Sequence, residues 1–404
     1  MAMTAGDARR RRVTAVRRER DLVTPLELFF DLVFVLAITQ CTALMAHDPT
    51  WEGLLKGVLV LGVLWWAWVG YAWLTSVVDP EEGAVRLAMF GAMAALLVAS
   101  LCVPDAFGDL GFTFAVAYGL VRVGQLWLLW LGGRGTPSLR HSVWTGLVPS
   151  TAVGVGLLLV ASQVDGDLQL ALWGSALALD MLGPFLFGAE GWTLVPHHFA
   201  ERHGLIFIIA LGESIVAIGV GAEAGVDGAV ITAVVLGTAL AAAMWWAYFD
   251  VVALVASRRL SEATVGKEQN ELARDSYSFL HFPMVAGVVL IALGMESTIA
   301  HAGDPLRPVT AFALIGGLAI YLLAHVAFRL RNIRSLNKQR LAVAVVLLAL
   351  APFGDELDAL PTLAVVTGLM VGLIAYEVVR FADGRAQIRN HEEQAAQAAT
   401  DATA

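Results

Sequence analysis

The sequence predicts an all-α fold: a polytopic membrane protein of about twelve transmembrane helices in two parallel six-helix repeats. Three observations carry this expectation. Of the 404 residues, 58% are hydrophobic and 15% charged, whereas soluble domains average about 25% charged, and the mean hydropathy is +0.72. Long apolar runs recur along the whole chain, and basic residues gather in alternate connections between them. The net charge of −9 says little about partners, because its distribution matters more than its sum. Cys41 and Cys102 stand inside apolar runs and read as small buried hydrophobes. The sequence carries no Walker loop, dinucleotide fingerprint, nucleophile elbow or nucleic-acid module, so no cofactor and no nucleic-acid partner is expected.

Residues 1–23 form a basic tail with Arg9, Arg10, Arg11, Arg12, Arg17, Arg18 and Arg20. No small-residue cleavage site follows the first apolar run, so the tail reads as an anchor beside anionic lipid, not as an export signal. Apolar segments then occupy 25–46, 52–77, 85–103, 110–131, 142–162, 168–188, 203–222, 228–256, 275–300, 308–328, 339–353 and 359–381. Most are long enough to span a hydrocarbon core of about 30 Å, and the eleventh is the shortest. Thr24-Pro25-Leu26-Glu27 starts the first span, with Thr at the N-cap, Pro at N1 and Glu at N3 to close a capping box. From 383 onward the chain is rich in Ala, Gln and Glu and is expected to be a disordered tail.

Charge orients the spans. The N-terminal tail shares one face with Arg134 and Arg140, with Arg258, Arg259, Lys267 and Arg274, with Arg329, Arg331, Arg334, Lys338 and Arg340, and with Arg380, Arg385 and Arg389. The opposite connections carry Asp105, Asp109, Asp165, Asp167, Glu223, Asp227, Asp355, Glu356 and Asp358, with Lys56 and Arg307 as basic exceptions. The positive-inside rule then makes both termini cytoplasmic.

The two halves echo each other. Glu27 opens the first span as Glu201 opens the seventh, and Thr39-Gln40 falls on Glu213-Ser214 at the same offset. Trp65-Trp66-Ala67-Trp68 is answered by Trp245-Trp246-Ala247-Tyr248, and Phe90 and Ala94 by Phe282 and Ala286. Repeats over 24–195 and 196–382 would each hold an even number of spans and so share orientation, with a transport site between them.

The stretch His197-His198-Phe199-Ala200-Glu201-Arg202-His203 sets ionisable groups at the mouth of the seventh span, and Glu213 lies inside that span. Glu213 falls about 15 Å past His203, near the middle of the hydrocarbon core. A charge there is costly unless it is paired, protonated or hydrated, which marks a functional candidate by default. Asp31 stands one turn after Glu27 on the same helix face. Asp250, Tyr248, His281, His325 and Glu377 lie at similar depths, and with Glu27, Asp31, Glu201 and Arg202 they are expected to form a polar vestibule. Arg122 and Asp180 share a depth of about 18 Å and read as a structural ion pair, or Arg122 as the counter-charge of Glu213. His197/Glu201 and His198-x-x-Glu201 have metal-ligand spacings, but other helices carry no second such motif, so no metal site is expected. Lipid-interface belts account for many of the tryptophans.

The run from Glu27 through Gln40, with His198-Phe199-Ala200-Glu201-Arg202 and Leu211-Gly212-Glu213-Ser214, resembles the bacterial low-temperature-requirement A family over nearly the whole chain. The resemblance implies a polytopic inner-membrane protein and supplies no mechanism. Glu27-x-Phe29-x-Asp31-x-Val33-Phe34-x-x-Ala37-Ile38-Thr39 is also similar to the first-helix signature of the six-helix-repeat potassium channels of endolysosomes and bacteria. That likeness implies that Phe34 and Ile38 line a conduction path and that Asp31 belongs to a cytoplasmic polar network. The sequence departs from it in holding Pro25 or Leu26 at the motif's Arg, Phe30 at its Ser, and Glu213-Ser214 in the seventh span.

The leading expectation is an ion- or proton-conducting channel or ion-coupled transporter, without catalytic residues. Its site draws on Glu213, Ser214, Asp31, Glu27, Glu201, Arg202, His198 and Asp250. Its partners are membrane lipids, a small ion or solute and, on the channel likeness, a second copy of the chain in a homodimer. Alternatives are an intramembrane lipid-modifying enzyme using His198, Glu201 and His203, and a membrane stress sensor without turnover.

Overall fold

A computed structural model describes residues 22–390 except 82, 134–135, 187–191 and 223–224. Most of the basic tail, Arg134, Glu223 and residues 391–404 therefore lie outside the described residues. The elements are helical: α1 (Pro25–His47), α2 (Trp51–Val77), α3 (Gly83–Cys102), α4 (Gly111–Gly132), α5 (Pro137–Ala161), α6 (Gly166–Leu186) and α7 (Pro196–Gly221). Then follow α8 (Gly228–Phe249), α9 (Val252–Glu262), α10 (Lys267–Ala300), α11 (Pro308–Ile333), α12 (Lys338–Leu350) and α13 (Ala359–Arg380).

Local chemistry sets the helix starts. Thr24 and Glu27 close the capping box, and Pro occupies the first turn of α1, α5, α7 and α11, where its missing N–H has no helical partner to lose. Thr50, Asp227 and Asn337 accept the N3 amides of α2, α8 and α12. Because Pro196 starts α7 seven residues ahead of the expected edge, His197–His203 belong to the helix itself and Glu213 lies beyond its midpoint. The shift is about 7 Å toward the far end.

Eleven helices among the described residues are long and apolar enough to cross a membrane. α12, with 13 residues, falls short of that length. Arg340, in its first turn, meets His325 and Glu377, and beyond its last turn Ala359 N–H donates to Asp304 O at 2.9 Å. Residues 383–390, expected to be disordered, are helical. Arg385 and Arg389 in that stretch pair with Asp250, just past α8.

The core forms around α2, α10 and α11, each with 78% of its apolar window buried. The outer helices keep Leu87, Leu120, Val123, Trp144 and Val235 exposed. Apolar surface inside and outside together is what a hydrocarbon solvent selects. The tryptophans divide accordingly. Trp65, Trp66 and Trp68 are buried, against the belt expectation, while Trp127, Trp245 and Trp246 are exposed.

Small residues bring α10 and α11 into backbone contact. A Cβ on Gly287 would meet Gly317 O at 2.7 Å, and one on Gly294 would meet Leu314 Cβ at 2.5 Å. Gly294→Val is expected to cost about 1–3 kcal/mol by overpacking. Thermal unfolding of the full chain in detergent checks this; an unchanged midpoint contradicts the packing argument.

Candidate functional site

Glu27 and Asp31 lie one turn apart on α1, and His198 and Arg202 one turn apart on α7, so each helix presents a matched two-residue face. The structure brings the faces together against α2. His198 Nε2 meets Glu27 Oε1 at 2.8 Å. Arg202 Nη1 donates to Thr75 Oγ1 at 2.9 Å and to Glu27 Oε1 at 3.4 Å, and Arg202 Nη2 donates to Asp31 Oδ1. Trp68 Nε1–H donates to Asp31 Oδ1 at 2.8 Å, and its ring lies 5.5 Å from the guanidinium. Ser76 Oγ stands 3.5 Å from His198 Nδ1.

Glu27, Asp31, His198 and Arg202 are all 0% exposed. They form an enclosed ionic network where a polar vestibule was expected. Among the described residues, two carboxylates face one guanidinium and one imidazole, the kind of pairing that burial demands. Thr24 completes the shell of Glu27, its N–H donating to Oε2 at 2.9 Å and its hydroxyl at 3.0 Å. Thr75 and Ser76 were not anticipated. Their signal was two hydroxyl side chains side by side in the apolar stretch that follows Lys56.

Further along the same two helices, Thr39 Oγ1 donates to Glu213 Oε2 at 2.6 Å. The paired positions advance together on α1 and α7, which makes the helices parallel neighbours. Glu213 is 3% exposed, and its partner is a hydroxyl where a cation was the alternative. Ser214 is buried beside it, and Phe34 and Ile38, between the two polar levels on α1, are each 3% exposed.

Arg122 pairs elsewhere. Its Nη1 lies 2.9 Å from Asp180 Oδ2, and its Nη2 donates to Thr151 Oγ1 at 2.7 Å. Tyr118 O–H donates to Asp180 Oδ2 at 3.2 Å. The pair serves α4, α5 and α6, and the counter-charge role toward Glu213 does not arise.

A histidine–tyrosine chain continues from the α1–α7 network. Trp68 sets its edge against His203, with centroids 4.9 Å apart, and His203 lies 5.2 Å from His281. His203 Nδ1 and His281 Nδ1 face the carbonyls of Phe199 and Ser276 at 2.8 and 3.0 Å. Each must donate there, so each neutral ring keeps Nε2 as an acceptor. His281 Nε2 takes the Tyr248 hydroxyl at 2.8 Å. Beyond Tyr248 stands His325, whose Nδ1 accepts from Arg340 Nη1 at 2.8 Å.

Arg340 binds Glu377 through two hydrogen bonds of 3.0 and 2.9 Å. It had been read as a loop charge. A cation in a first helical turn opposes the helix dipole, and that conflict was the available sign of a carboxylate partner. The alternative enzyme trio is dispersed: His198 serves Glu27, Glu201 Oε2 accepts the Val23 amide at 3.2 Å, and His203 serves Phe199.

The comparisons with known proteins follow the same residues. The family model for the bacterial low temperature requirement A protein matches residues 22–375. An uncharacterized protein of Rhizobium meliloti (strain 1021) is 30% identical over 315 residues, covering 73% of this chain and 74% of that protein. No solved structure matches the chain. The α1 and α7 motifs that build the buried network both lie within the matched range, and the chain is a multi-pass membrane protein that belongs to the bacterial low temperature requirement A family.

Proposed function

We propose that this protein transports a proton or small cation, with the α1–α7 seam as its working element and Glu213 as the group that takes up and releases the cargo. The observation that carries this reading is Glu213 itself: a carboxyl 3% exposed within a membrane helix, held by the Thr39 hydroxyl and not by a cation. An ionised acid at that depth needs a counter-charge, and with a hydroxyl as its partner Glu213 is free to take a mobile proton or cation in that role. The Glu27–His198–Arg202–Asp31 network at the other level of the seam would fix the two helices against each other. The neutral imidazoles of His203 and His281 add acceptors suited to proton movement.

The matched order of α1 and α7 supports a path between two six-helix repeats. The basic connections support cytoplasmic termini. Two chains would place four repeats around one axis, which favours a homodimer.

The test is flux. Purified full-length protein in liposomes is expected to dissipate an imposed proton or potassium gradient, and Glu213→Gln to lose that activity at least about tenfold, as for removal of a group acting directly in proton transfer. Equal flux in both proteins, or none above empty liposomes, would sink the proposal.

A further inference from the structure

The end of the bundle that carries the basic connections opens into a cavity of about 460 Å³ between α8, α11, α12, α13 and the helical residues 382–390. Its ionisable lining is His325, Arg329, Lys338, Arg340, Glu377 and Arg385. Arg340 is the buried floor, fixed by Glu377 through two bonds and by Ala247 O at 3.1 Å. His325 must accept from Arg340, so it adds no charge. Arg385 is held by Asp250.

Arg329 and Lys338 differ from these. Both are exposed at the rim. Arg329 donates to Ser335 Oγ at 3.1 Å, a neutral acceptor. Lys338 has no carboxylate among the ion pairs of the described residues. The cavity is therefore a cationic pocket with its floor neutralised and its rim uncompensated. It lies at the membrane-surface end of the helices and is roofed partly by Leu336, Phe381 and Ile388.

We propose that this pocket binds a phosphate-bearing anion, with Arg329 and Lys338 as the primary ligands, Arg340 as a rigid donor surface and the apolar rim residues beside any attached chain. Two rim cations can hold one phosphate from two directions, and basic pockets between helices at the membrane surface suit such headgroups. The phosphate can belong to an anionic phospholipid or to a soluble phosphate. The apolar rim residues suit the first, and the cavity volume admits either.

The experiment measures binding to the full chain in detergent, using phosphatidylglycerol, phosphatidylcholine and inorganic phosphate as separate probes. Native mass spectrometry reads the lipids and calorimetry reads the phosphate. Wild type is expected to bind phosphatidylglycerol, inorganic phosphate or both with saturation. Arg329→Gln/Lys338→Gln is expected to bind the same probe about thirtyfold more weakly, the loss of about 1 kcal/mol for each of two surface cations. Leu336→Glu, which removes no polar contact and sets a negative charge on the same rim, is expected to weaken it as well. Preference for phosphatidylglycerol over phosphatidylcholine assigns the site to lipid, and binding of inorganic phosphate alone assigns it to a soluble ligand. Absence of saturable binding by either anion, or equal affinity in wild type and both variants, overturns the proposal.

Discussion

Arg202→Leu is expected to destabilise the chain by about 3–5 kcal/mol, because it removes the guanidinium that two buried carboxylates share. Glu27 and Asp31 are fully buried, and Arg202 is the permanent positive charge that both of them meet. His198 meets Glu27, and Trp68 offers Asp31 a neutral donor. Denaturant or thermal unfolding in detergent measures the loss; a midpoint equal to wild type would show that the network carries little energy. The combined variant Glu27→Gln/Asp31→Asn/Arg202→Met removes all three charges at once and is expected to regain most of the stability, since a buried network is costly chiefly when half of it is left. If the seam works in transport, that variant stays folded and loses flux.

Asp180→Ala is the second large effect, again expected at about 3–5 kcal/mol, with Arg122 left alone between α4, α5 and α6. Arg122 is 1% exposed, and Thr151 and Tyr118 offer it only neutral partners. Asp180→Asn keeps hydrogen-bond acceptors and is expected to lose less. The paired variant Arg122→Met/Asp180→Leu is expected to approach wild-type stability and to retain flux, because this pair touches neither Glu213 nor the α1–α7 network. Lost flux in a stable paired variant would contradict its structural assignment.

Much of this was legible in the chain. Hydropathy gave the spans, and the Thr24-Pro25-Leu26-Glu27 cap marked the start of α1. Matched i,i+4 spacing placed Glu27 with Asp31, and His198 with Arg202, on single helix faces. The depth argument that joined Arg122 to Asp180 worked because opposite charges in lipid need each other. Other expectations failed for definite reasons. Pro196 extended α7 backward, since proline at N1 starts a helix in spite of the polar residues that follow it. The Trp65–Trp68 run looked like a lipid belt, yet α2 is enclosed by its neighbours, and Trp65 and Trp68 spend their indole N–H groups on Ser278 O and Asp31.

The sequence by itself determined that this is an all-helical membrane protein, because composition and periodicity report directly on solvent and on local backbone geometry. It also singled out Glu27, Asp31, Arg122, Asp180, Arg202 and Glu213 as ionisable residues at depth, and missed Arg340. Only the tertiary structure decided the partners. Glu27 could have faced water, a metal or lipid, and Glu213 could have met Arg122. The packing of α1 against α7 and α2 gave Glu27 to His198 and Arg202 and Glu213 to Thr39, and the packing of α4 against α6 gave Arg122 to Asp180. These contacts join residues more than a hundred positions apart or on separate helices. Spacing along one chain cannot specify them, and the close fit of helix against helix does.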